Sequence, residues 1–102
     1  MSSNATLEIQ VAQGNRTFGY ACASDVMTHL IIESCGCKPS KWDGCKGSEV
    51  ASQLWRGAVR LLSKNCLDIP YADSDVTNTY RFLYELFNLC NGHPEATVEV
   101  RY

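Results

Sequence analysis

Both ends of the chain alternate apolar and polar residues with a period of two, and this limits the folds open to it more than anything else in the sequence. In residues 6–11, Leu7, Ile9 and Val11 fall on one side and Glu8 and Gln10 on the other. In residues 96–102, Val98, Val100 and Tyr102 alternate with Thr97, Glu99 and Arg101. Period two marks a half-buried strand. Either segment alone would leave its apolar side wet, so the economical arrangement makes them neighbours in one sheet. Gln13-Gly14-Asn15 supplies turn chemistry, and Phe18, Tyr20 and Cys22 alternate again after it. The amino-terminal segment is therefore expected to be a β-hairpin.

Between these ends the period changes to that of helices. Ser24-Asp25 is a candidate N-cap, with Val26, Met27, Leu30 and Ile31 at helical spacing behind it and Cys35-Gly36 as the stop. Residues 36–47 hold Gly36, Pro39, Gly44 and Gly47 and read as a loop. Ser48-Glu49 opens a second helix with Val50, Leu54, Trp55, Ala58, Leu61 and Leu62 on its apolar side, ending near Asn65-Cys66. Pro70 and the polar run 72–75 break the chain, with Asp73 and Asp75 as helix-start residues. A third helix then carries Val76, Tyr80, Leu83, Tyr84, Phe87 and Cys90, and Asn91-Gly92 followed by Pro94 stops it. The order β-β-α-α-α-β predicts an α+β two-layer sandwich. Its antiparallel sheet, the N-terminal hairpin plus the C-terminal strand, packs against about three helices, with residues 1–102 as a single domain.

Six cysteines, Cys22, Cys35, Cys37, Cys45, Cys66 and Cys90, lie in 102 residues. An even count spread over most of the length favours three disulfides, and hence an oxidising compartment, over a metal site. Cys22, Cys35, Cys66 and Cys90 fall at or near element ends, whereas Cys37 and Cys45 flank one loop and can close it locally. The connectivity stays open. The sequons Asn4-Ala5-Thr6 and Asn15-Arg16-Thr17 also point to a secreted, extracellular protein. The polar start Met1-Ser2-Ser3-Asn4 contains no leader-like apolar run, so the secreted reading expects a mature form with Met1 added. Zinc on Cys35, Cys37, Cys45 and His93 is the rival, but Cys-Gly-Cys followed by a long gap lacks the paired knuckles of structural zinc sites. No metal or cofactor is expected.

The net charge is −2, so no global field draws the chain to nucleic acid or anionic membrane, and no apolar run approaches the ~20 residues that span a bilayer. Neither His29, within the first helix, nor His93, in a helix-ending turn, stands in a nucleophile motif, and no catalytic residue is assigned. Charge is uneven, however. Residues 38–64 hold six basic residues (Lys38, Lys41, Lys46, Arg56, Arg60 and Lys64) against Asp43 and Glu49, a net of +4. Arg56, Arg60 and Lys64 form an i, i+4, i+8 stripe, and Trp42 sits among the loop lysines as a candidate interface anchor, or else packs over a disulfide. These seven residues are the candidate binding site.

Tyr20-Ala21-Cys22, set just before the first helix, resembles the aromatic-x-Cys motif near the mature start of many small secreted effectors from plant-pathogenic fungi. Many of those effectors resemble a fungal ribonuclease fold with its activity lost, whereas this chain has more helices and fewer strands. Cys35-Gly36-Cys37 and the helix ending Leu86-Phe87-Asn88-Leu89-Cys90 are similar to virally encoded killer toxins of smut fungi and related α/β-sandwich effectors. The resemblance implies a disulfide-stabilised virulence effector or toxin that acts without catalysis by binding a target protein or cell surface. It assigns no functional residue. Two other readings are a small secreted hydrolase of ribonuclease type, and an intracellular interaction or nucleic-acid-binding module using the basic second helix.

Overall fold

The structure, a computed structural model, describes residues 7–63 and 73–101. Strands β1 (Leu7–Gln13), β2 (Arg16–Ala23) and β3 (Thr97–Arg101) form one antiparallel sheet in the order β2-β1-β3. Helices α1 (Asp25–Cys35), α2 (Gly47–Ser63) and α3 (Asp73–Gly92) complete an α+β globule. The strands at the two ends of the chain are neighbours, as the matching alternation predicts. Ile9 stands opposite Val100 and Val11 opposite Val98 on the helix side. On the other side Gln10 opposes Glu99 and donates from Nε2 to its Oε1 at 3.1 Å.

The register corrects the expected hairpin face. Tyr20 opposes Gln10 and Cys22 opposes Glu8, so both lie on the outer face, whereas Gly19, Ala21 and Ala23 oppose the core residues Val11, Ile9 and Leu7. Small side chains on the inner face of β2 let α3 come close. A Cβ on Gly19 would stand 2.7 Å from Leu89 Cδ2.

α1 is bounded as its sequence indicates. Ser24 Oγ accepts from the Met27 N–H at 3.2 Å, and Gly36 ends the helix in the left-handed region at φ 79°, donating to the Ile32 carbonyl. The loop after it holds more structure than its glycines suggest. A 3-10 turn, Pro39–Trp42, drops Trp42 into the core with 1% of its surface exposed. The following residues line the free edge of β3: Gly44 N–H donates to the Val98 carbonyl, Val98 N–H to Cys45, and Val100 N–H to Asp43 Oδ1. That edge is therefore closed.

α2 starts where this strip meets the turn before β3. Its first donors, the N–H groups of Gly47 and Ser48, bond the carbonyls of Ala96 and Pro94, and Glu49 Oε1 reaches back to the Lys46 N–H at 2.8 Å. Its end, expected near Cys66, falls outside the described residues. α3 begins at Asp73, within the helix-start run that the sequence marks. The apolar stripes differ from expectation. Trp55 and Leu62 are exposed and Tyr84 is 43% exposed, whereas Thr79, Phe82 and Leu86 are buried. α3 packs against both α2 and β2, so its buried arc is rotated towards the sheet from the one that α2 alone would set.

Gly57 marks the closest approach of α1 and α2, since a Cβ there would collide with Cys35 Sγ and stand 3.4 Å from Leu83 Cδ1. Alanine is the better helix former by roughly 1 kcal/mol. The collision reverses that sign, so Gly57→Ala is expected to lower stability by about 1–3 kcal/mol in chemical denaturation. Unchanged or raised stability would contradict this packing. Removal of residues 97–102 is expected to unfold the domain, and a truncated chain that melts like the intact one would show β3 to be dispensable.

Candidate binding surface

The loop lysines and the arginine stripe meet through Gln53. Its Oε1 accepts from Trp42 Nε1 at 2.9 Å and from the Cys37 thiol at 3.1 Å, joining the loop to α2. Arg56 and Arg60 follow Gln53 by three and seven residues on the same flank of the helix, and both are exposed. Lys38 and Lys41 are exposed as well, whereas Lys46 is held by Glu95, Nζ to Oε1 at 3.2 Å. Lys64 lies outside the described residues. Trp42 is the correction within this set. Buried and hydrogen-bonded, it anchors the loop to the core and is not available to a partner.

The sequence reading missed a second surface on the opposite flank of α2. Trp55, Val59 and Leu62 are 49%, 47% and 64% exposed at i, i+4 and i+7. Across the α2–α3 seam lie Phe87, Tyr84 and Tyr80. Trp55 and Phe87 have ring centroids 5.3 Å apart, and Tyr80 stacks with Tyr84 at 6.1 Å. Towards one end the seam opens into a pocket of about 200 Å³ lined by Leu61, Leu62, Val76, Thr77 and Tyr80. The signal was present in the sequence, because α2 carries apolar residues over an arc wider than one packed face requires. Assigning Trp55 and Leu62 to the core concealed it.

The cysteines occupy dissimilar surroundings. Cys22 is exposed on the outer sheet face, with its sulfur 4.0 Å from Glu8 Oε2. Cys35 packs against Gly57, Cys37 donates to Gln53, and the Cys45 thiol donates to the Lys41 carbonyl at 3.5 Å. Cys90 is buried, and Cys66 lies outside the described residues. Disulfide stabilisation is not shown: no two of the described cysteines are bonded to each other. Among the described residues no three His, Cys, Asp or Glu side chains gather as a metal site. His29 is exposed on α1, and the His93 ring lies face to face with Phe18 at 3.7 Å, with Arg16 over the same phenyl ring at 5.5 Å. No helix among the described residues is long and apolar enough to cross a membrane. No protein-family model matches the chain, and neither a curated protein nor a solved structure matches it.

Burial pushes the Cys90 thiol up from 9.0 to about 11 by penalising the thiolate. The folded state therefore holds this proton more tightly than the unfolded chain. The resulting stabilisation is complete below pH 9.0 and is lost as pH rises towards 11. The loss is expected to be on the order of 2–3 kcal/mol across that window. Urea denaturation of wild type and Cys90→Ala at intervals between pH 8 and 11 checks it. The wild type should lose more stability than the variant, and parallel curves would contradict the assignment.

Proposed function

We propose that this chain is a binding protein that docks a protein or cell-surface target on the α2–α3 seam, as a secreted effector or killer-type toxin without catalysis. The observation that carries the reading is the set of exposed apolar residues Trp55, Val59 and Leu62 on α2 with exposed Tyr84 and half-buried Phe87 and Tyr80 on α3. Large apolar side chains left in water on two rigid helices are the composition of interface cores, with tryptophan and tyrosine prominent among binding hot spots. Arg56, exposed and next to Trp55 in the chain, supplies the polar rim such interfaces carry. Secretion draws support from Asn15, whose sequon sits exposed in the β1–β2 turn where an enzyme could reach it.

A second reading keeps the same docking surface in a reducing compartment. It is favoured by the thiols of Cys37 and Cys45, which donate to protein oxygens, and by the buried thiol of Cys90. Counting alkylatable thiols by intact mass, with and without prior reduction, separates the two. The secreted form is expected to take up no label in denaturant before reduction, whereas uptake on two or more cysteines selects the intracellular reading.

The docking surface has its own test. Trp55→Ser and Leu62→Asp are expected to abolish cell killing or growth inhibition, assayed on fungal and plant cells, while leaving the melting temperature within a few degrees. Retained activity in both variants, with loss on substitution of Lys38 and Lys41, would move the site to the loop.

A further inference from the structure

The two edges of the sheet are treated differently. The edge of β3 is closed by residues 43–47, whereas β2 is the outer strand on the other side and is eight residues long. An outer strand presents alternate backbone N–H and C=O groups with no partner in the sheet. Monomeric proteins guard such an edge with lysine, proline or a covering segment. Beyond Arg16 at its start, β2 contains no charged residue and no proline. A groove of about 340 Å³ runs beside β2, with Tyr20 and Cys22 on the strand side, Met27 and Phe82 at its base, and Arg81 and Glu85 of α3 on its wall.

Arg81 and Glu85 are exposed and four residues apart on one face of α3, and neither makes an ion pair or side-chain hydrogen bond among the described residues. The spacing is self-complementary. When two copies meet at β2 about a two-fold axis, the strands run antiparallel and the two α3 helices also run antiparallel along the shared groove. With the two-fold axis level with the midpoint of Arg81 and Glu85, Arg81 of one copy would stand opposite Glu85 of the other, twice over. We propose that the edge of β2 left unpaired among the described residues pairs with β2 of a second copy of this chain, joining two sheets into one, with the Arg81–Glu85 pairs closing the groove above the junction. An isologous contact of this kind is self-limiting and yields a dimer. It uses a different surface from the α2–α3 seam and does not depend on that seam having a target.

Sedimentation equilibrium across the micromolar range is the test. The wild type is expected to approach twice the 11.3 kDa chain mass as concentration rises. Arg81→Glu or Glu85→Arg places like charges opposite each other and is expected to raise the dimer dissociation constant by about tenfold or more. The double variant R81E/E85R restores complementarity and should return to within about threefold of wild type. Tyr20→Lys, exposed on the strand itself, should also weaken the dimer by guarding the edge. Circular dichroism establishes that each variant is folded. A wild type that stays monomeric throughout overturns the proposal, as does a dimer indifferent to both single charge reversals. A dimer dissolved by Trp55→Ser but not by R81E also overturns it and assigns self-association to the seam.

Discussion

The pairing of β1 with β3 is the constraint on which the rest of the molecule depends. It joins segments nearly the whole chain apart, and everything between them must fit inside the closed loop. Once β3 is in place, residues 43–47 find backbone partners along its edge, and the turn at Pro94 and Ala96 receives the first donors of α2. β3 thus positions the 3-10 turn that sinks Trp42, and through Gln53 the turn is tied to the middle of α2. Contacts so distant in sequence are costly in chain entropy before they are rewarded, so folding should await closure of this pair.

Small residues set how closely the layers approach. Gly19, Ala21 and Ala23 line the inner side of β2 beneath α3, Gly57 admits the Cys35 sulfur, and Gly47 lies against the backbone of Cys90 and His93. Large side chains then fill the space from the other partners: Leu83, Leu86 and Phe82 from α3, Leu30 and Ile31 from α1, Leu54 and Leu61 from α2. Close packing of this kind places the apolar surplus of α2 and α3 outside, because the inner positions are already taken. The exposed seam is a consequence of two helices meeting at short range with more apolar arc than the contact consumes.

Two surfaces of different physics therefore face solvent. The seam offers area and aromatic rings on rigid helices beside the pocket at Tyr80, and the proposed docking rests on it. The β2 edge offers backbone hydrogen bonds and a pair of opposite charges, which suits a strand of fixed direction. Their separation would let the proposed dimer present two copies of the seam, and two linked sites bind a multivalent target more tightly than one.

Much of the fold was legible in residues 7–13 and 97–101, because period-two alternation has one physical cause and its two occurrences had to share a core. The caps Ser24 and Gly36 were equally legible, since a helix end needs an acceptor for its first N–H groups and a residue tolerant of positive φ. The stop at Gly92 was legible from Pro94 just beyond it, which cannot continue a helix. The basic character of Arg56 and Arg60 could also be read directly from spacing. Other features were decided only in three dimensions. Trp42 among lysines looks like a surface anchor until Gln53, eleven residues on, offers its indole a partly buried acceptor. Tyr20 and Cys22 alternate like buried residues, but register with Gln10 and Glu8 turns them outward. Trp55, Leu62 and Tyr84 match a helical apolar stripe, yet neighbouring helices select which arc of that stripe is covered. Sequence determines that a side chain avoids water, whereas only the packed tertiary structure decides which of several apolar arcs there is room to bury.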